Sequence, residues 1–274
     1  MRRWMGIPIY LVLSVLALVI LFPYFVMAIT ALKSNTQVFA YPPSWLPHPV
    51  DLRNFVDLFA KDGFGRVLLN SLLDCGVSTI LAVVVAIPAS YAISRLRFPL
   101  RRAMIYLFLV TQMFSPIVII VGLFRVMVLY HLLNNPLSLI LSYAAFNLAF
   151  SIWILSSFFD TIPAAIEEAA WIDGCSRWQG VVRVFVPLAL PGMLVACMFS
   201  FVAAWNDLVL AMSFLRSSSR FTVTLRIFNL VSGRYTVEWQ LVMAAVVIAT
   251  IPVVVMFALM QKHLVQGFTA GAVK

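Results

Sequence analysis

At 274 residues, the chain carries 63% hydrophobic and only 11% charged side chains, with a mean hydropathy of +1.02. Soluble domains carry about 25% charged residues, so the composition excludes a soluble globular protein and indicates an integral membrane protein. The net charge of +9 and pI near 9.9 do not indicate a nucleic-acid partner, because the arginines are dispersed between apolar stretches and make no continuous basic face. They read as topology determinants and contacts to lipid headgroups.

Crossing a hydrocarbon layer of about 30 Å takes roughly 20 apolar residues as helix, because every backbone amide must find its partner within the segment. Six stretches qualify: 7–32, 67–93, 103–124, 137–159, 188–212 and 241–260. The first is too long for a signal-peptide core and lacks a convincing small-residue cleavage site, so it is expected to stay as an anchor. An even number of spans places both termini on one side. With the termini and the segments 94–102 and 160–187 inside, ten of the 19 Lys and Arg residues are internal, which hardly decides orientation by counting. Arg95, Arg97, Arg101 and Arg102, an acid-free cluster in a short loop, point inward. The chain thus reads as one transmembrane domain over 1–274, with an external segment at about 33–66, a cytoplasmic loop at about 160–187 and a cytoplasmic tail at 261–274.

The external segment begins with a proline-rich piece, 41–47, and continues with Leu52, Phe55, Leu58 and Phe59 at helical spacing. This predicts a short amphipathic helix that either seats an external partner or caps the bundle. Asp74 is the most deeply placed carboxylate of the first half, two turns from the outer end of its span, where snorkelling or pairing with an arginine accounts for it. Gln112, Ser115 and Pro116 predict a kink in the third span. Asn147 in the fourth span either bonds across helices or touches a solute.

Between the fourth and fifth spans lies the longest polar interruption that is itself patterned like folded structure. Pro163 and the acidic Glu167 and Glu168 predict a helix start, which runs through Ala169, Ala170, Trp171 and Ile172. After Asp173, Gly174 permits a sharp turn. A second short helix over 177–185 is expected to stop at Pro187 and Pro191.

This stretch resembles the coupling loop of permease subunits of bacterial ABC importers, whose pattern is Glu-Ala-Ala, three residues, Gly, nine residues, Ile, one residue, Leu-Pro. Glu168, Ala169, Ala170 and Gly174 match in identity and spacing, and Val184, Val186 and Pro187 follow with two aliphatic replacements. In the fifth span Ala204-Trp205-Asn206-Asp207 is similar to a segment of the carbohydrate-uptake branch. An indole face can stack on a sugar ring while amide and carboxylate groups bond its hydroxyls; equally, Asn206 and Asp207 can satisfy a helix end. The C-terminal Gly267, Thr269 and Gly271 belong to a tail similar to the Gly-x-Thr-x-Gly-Ala-Val-Lys end of maltose-type second permeases, a mobile end able to insert between partner domains.

The resemblance implies an all-α permease with six transmembrane helices and a cytoplasmic coupling helix, in a bacterial inner membrane. It also implies three partners: a homologous permease, an ATPase dimer and an extracytoplasmic solute-binding protein. In this scheme Glu168 pairs with a basic group of the ATPase, Trp171 and Ile172 fill its cleft, and the loop as a whole (Glu167 to Gly174, with Val184 and Pro187) carries the displacement. ATP and Mg are expected on the partner, because none of the four lysines follows a glycine and the chain therefore has no Gly-Lys-Ser/Thr phosphate loop. No catalytic residue is indicated: the three histidines lie outside the spans, and neither a His-Glu-x-x-His motif nor a Gly-x-Ser-x-Gly elbow occurs. Cys75, Cys175 and Cys197 have no metal-ligand spacing. The competing class is an ion-coupled secondary transporter. It calls for midplane carboxylates and matching halves, whereas Asp74 and Asp207 both lie toward the outer side.

Overall fold

The computed structural model describes residues 6–232 and 236–270, with side chains over 9–232 and 236–261. Among the described residues there are helices and no strands. In order they are α1 (Gly6–Ala31), α2 (Asn35–Val38), α3 (Arg53–Ala60), α4 (Phe64–Arg95), α5 (Arg101–Thr111), α6 (Pro116–Leu129), α7 (Pro136–Thr161), α8 (Ala164–Ile172) and α9 (Arg177–Gly180). A π-helical turn (Val181–Phe185) leads into α10 (Val186–Leu188), α11 (Leu190–Trp205), α12 (Val209–Phe214), a 3-10 turn (Ser218–Arg220), α13 (Val223–Val231) and α14 (Trp239–Ala270).

All six apolar stretches are helical. Four are single helices long enough to cross a membrane, and the third and fifth are bent pairs, which brings the possible spans to six. The third expected span breaks by 95° between α5 and α6. Ser115 ends the extended link there by accepting the amide of Ile117 at 3.4 Å, and Pro116 occupies the first turn of α6. A first-turn proline gives up no hydrogen bond, so the same residue that stops one helix starts the next. Gln112 closes the gap by donating to the Phe146 carbonyl at 3.0 Å.

The fifth stretch departs further from expectation. Pro187 and Pro191 do not stop a helix; they sit in the first turns of α10 and α11, with a 76° bend between the segments at Ala189. The span also ends at Trp205 rather than Met212, because Asp207 begins a separate helix, α12. The segment after the 3-10 turn enters α13 at Val223, where the Thr222 hydroxyl accepts the Leu225 amide at 3.4 Å, as an N-cap does. The last helix continues past 260 to Ala270. Gly267 and Thr269 therefore lie on helical backbone, while Gly271 lies outside the described residues.

The chain divides into two compact units. The first comprises Met1–Arg66 and Arg226–Pro252. In it the predicted amphipathic helix forms as α3, burying Leu58 fully. Asn54 of α3 donates at 2.9 Å to the carbonyls of both Ala31 and Lys33, satisfying the C-terminal end of α1. Arg226 pairs with Asp62 at 2.5 Å.

The second unit comprises Val67–Leu225 and Val253–Lys274. Its centre is the packing of α7 against α11, with α5 and α12 also against α7. The buried cluster joins Val83, Ala86 and Ile93 of α4 to Ile152 and Leu155 of α7 and to Val195 and Ala196 of α11. Lipid is as apolar as leucine, so helices here associate through close van der Waals contact and interhelical hydrogen bonds rather than by escaping water. Small residues supply both. Ser90 donates to the Ile152 carbonyl at 3.1 Å, and the Ser151 and Ser200 hydroxyls meet at 3.2 Å. At Gly192 a Cβ would fall 2.4 Å from the Phe158 ring, so only glycine allows this approach.

Candidate functional site

The loop between α7 and α11 is built by local signals at every corner. Pro163 disfavours helix at Ile162, whose ψ of 123° turns the chain out of α7; Pro163 then caps α8. Glu167 lies in the first turn of α8, where a carboxylate complements the helix dipole. At the other end Gly174 adopts a φ of +85°, which costs a residue with a Cβ strain and glycine none. The Gly174 amide bonds the Trp171 carbonyl at 3.0 Å and the Cys175 amide bonds the Ala170 carbonyl at 2.9 Å, closing the helix as a Schellman motif. Ser176 and Gln179 form a reciprocal capping box that starts α9. The Ser-x-x-Gln spacing is the one local signal here that the motif comparison passes over.

The α8 helix has two distinct faces. Glu167 and Ala170 are buried against the chain's own helices, whereas Glu168, Ala169, Trp171 and Ile172 face outward, Ile172 at 86% exposure. Glu168 makes no ion pair among the described residues, while Arg177 lies over the Trp171 ring at 5.9 Å. Asp173 caps the helix and is exposed, Val184 is half-buried in the π turn, and Pro187 is exposed.

Glu167 is therefore not presented with Glu168. Its Oε1 accepts the Tyr91 hydroxyl at 2.5 Å, and its Oε2 lies 3.5 Å from Arg95 Nε. Arg95 also donates through Nη2 to the Phe159 carbonyl at 3.0 Å and to the Ile162 carbonyl. Its guanidinium stacks over Phe185, 4.9 Å from the ring centroid. Tyr91 and Phe159 in turn meet Phe185 edge to face. Sequence reading assigns Arg95 to topology alone and passes over Tyr91. Their i, i+4 spacing at the end of a span is the only trace of this arrangement in the sequence.

The structure distributes the four proposed path residues unevenly. Trp205 is buried and stacks on Phe201 at 5.4 Å between centroids. Asp207 Oδ2 accepts the amides of Leu210 and Ala211 at 3.1 and 3.2 Å and the Tyr143 hydroxyl at 3.0 Å, so its carboxylate caps α12. Asn147 donates to the Ser200 carbonyl at 3.3 Å, tying α7 to α11. Asn206 alone is exposed.

A multi-pass helical body with a two-helix unit, hinged at a Schellman turn and a capping box, between its fourth and fifth spans has the form of a membrane transport permease. The chain belongs to the family described as binding-protein-dependent transport system inner membrane component, which it matches over residues 78–270. It is 37% identical over 275 residues to the inner membrane ABC transporter permease protein YcjP of Escherichia coli (strain K12), covering 100% of this chain and 98% of that one. It is 33% identical to the sulfoquinovosyl glycerol transport system permease protein SmoH of Agrobacterium fabrum, covering 97% and 93%. Its fold is shared, at a TM-score of 0.81 and 23% identity over 95% of this chain and 96% of the other, with a bacterial ABC transporter involved in the import of the acidic polysaccharide alginate. Family membership makes this an inner-membrane ABC importer permease and does not favour the ion-coupled alternative.

Proposed function

We propose that the chain is one of two permeases of an ATP-driven carbohydrate importer and that the outward face of α8 is its docking element for a separate ATPase. The observation that carries this reading is the pair of faces on α8. One is anchored in the permease by Glu167 and Ala170, and the other offers Glu168, Trp171 and Ile172 to the surroundings. Closed at Gly174 by the Schellman turn and restarted at Ser176 by a capping box, the α8–α9 unit is stiff enough to carry a displacement. In this scheme both termini and the segments 94–102 and 160–187 are cytoplasmic, and ATP and Mg sit on the partner ATPase. The family's description names a binding protein, which supports an extracytoplasmic solute-binding partner. Relatives named for sulfoquinovosyl glycerol and alginate support a sugar as the solute. Asn206, exposed at the end of α11, is the residue of this chain best placed to meet it, and Gly267, Thr269 and Gly271 belong to a tail that docks to the partners.

The reading is tested by purifying the tagged chain from its native membrane in mild detergent, with and without Glu168→Lys, and identifying what remains bound. Recovery of an ATPase and a second permease, with the ATPase alone lost in the variant, is expected. A chain that purifies only with itself and moves solute on an ion gradient would overturn it.

A further inference from the structure

We propose that Arg95, held by Glu167 and Tyr91, is a positioning residue for energy coupling: it is the joint through which motion of α8 enters the membrane helices. The inference rests on the reading of α8 as the ATPase-facing helix and adds what happens on its other side.

Three elements meet at one guanidinium that belongs to a fourth. Arg95 and Tyr91 are one turn apart near the end of α4, and both reach the carboxylate of Glu167 on α8. The same guanidinium takes up the carbonyls of Phe159 and Ile162 where α7 ends, a site that favours a cation because the terminal carbonyls are left unpaired by the helix. Its face rests on Phe185 of the π turn. An arginine suits this task because its planar guanidinium offers five fixed donors and a flat face that stacks on an aromatic ring, whereas a lysine offers three donors on a compact point charge and no such face.

The arrangement also singles out α8 by the strength of its tether. On its inner side only Glu167 and Ala170 are buried, so the carboxylate is the main polar attachment of α8 to the body. Glu167 is 8% and Arg95 15% exposed at the side chain, and removing one partner of a buried pair leaves the other charge uncompensated. A tether of this kind resists sliding of α8 over α4 and α7. A push on Glu168 and Trp171 is then passed to α4, α7 and the π turn at once instead of being absorbed by local rotation of the short helix. Beside it, the Ser94 hydroxyl donates to Asp160 at 2.6 Å and Arg101 lies 3.7 Å from the same carboxylate, which ties α4, α5 and α7 together at the same level.

The test uses the full complex of both permeases, ATPase and binding protein, purified and reconstituted in proteoliposomes, with transport and ATP hydrolysis measured on the same vesicles. Arg95→Gln, Arg95→Lys and Tyr91→Phe are compared with the wild type. Arg95→Gln is expected to keep the ATPase bound and hydrolysing within about twofold of wild type while moving at least tenfold less solute per ATP. Arg95→Lys should recover part of that ratio, and Tyr91→Phe, which removes a single hydroxyl, should lower it about two- to threefold.

A solute-to-ATP ratio unchanged in these variants, whether both rates persist or fall together, would make the cluster a static brace and overturn the proposal. Should Arg95→Gln fail to assemble, the Tyr91→Phe ratio decides the matter by itself. A wild-type preparation that binds no ATPase would instead refute the assignment of α8, which separates the two failures.

Discussion

Glu167 and Glu168 are adjacent in sequence but have different surroundings on α8: the first is buried against Tyr91 and Arg95, the second is exposed without an ion pair among the described residues. Of two neighbouring carboxylates, one is held by side chains of the permease itself and the other is exposed.

Glu167→Ala is therefore expected to destabilise the chain, by roughly 3 kcal/mol, because it strands the buried charge of Arg95. Glu168→Ala should stay within about 0.5 kcal/mol of wild type, as exposed substitutions usually do. Thermal unfolding midpoints of the two variants in the same detergent check the asymmetry; equal midpoints would contradict the placement of the two side chains.

Gly174→Val forces a β-branched side chain into a left-handed conformation at a φ of +85°, at a cost of about 1–3 kcal/mol. The Schellman closure should open, transport should be abolished, and the protein should still reach the membrane. Gly174→Asn, which tolerates this conformation, is expected to retain most uptake. Normal uptake by the valine variant would sink the assignment of the turn.

Gly192→Ala places a methyl 2.4 Å from Phe158. Overpacking of this kind costs about 1–3 kcal/mol, and it should separate α11 from α7. Combining it with Phe158→Ala should restore part of the lost thermal stability, whereas additive losses would show that the two positions do not meet.

Asp207→Ala removes the acceptor for two α12 amides and the partner of Tyr143; losing a cap costs about 1 kcal/mol, so both stability and uptake should fall. Asp207→Asn keeps an acceptor oxygen and is expected to transport at close to the wild-type rate. A selective loss of uptake in the asparagine variant, with stability unchanged, would instead place the carboxylate in contact with solute.

The features legible in the sequence were those with local causes. The kink at Ser115-Pro116, the start of α8 after Pro163, the turn at Gly174 and the amphipathic α3 all follow from backbone restrictions or periodicity within a few residues. Proline is ambiguous by the same logic. At Pro187 and Pro191 the expected stops are first turns, because one residue type suits both the end of one helix and the start of the next, and only the neighbouring helices decide which. Asp207 shows a similar limit: beside Trp205 and Asn206 it reads equally as a sugar ligand or as a helix-end cap, and only the fold shows its carboxylate taken by backbone amides two and three residues beyond Leu208 and by Tyr143, 64 residues away in the chain.

By itself, the sequence determined that this chain is a multi-pass helical membrane protein with a capped polar loop of the ABC importer type, since hydropathy, capping and turn chemistry act over one or two helical turns. Only the tertiary structure decided which glutamate is tether and which is exposed, and that Arg95 joins α4, α7, α8 and the π turn. Those assignments depend on side chains up to 90 positions apart, Arg95 and Phe185, brought together by helix packing, and no local pattern in the chain encodes them.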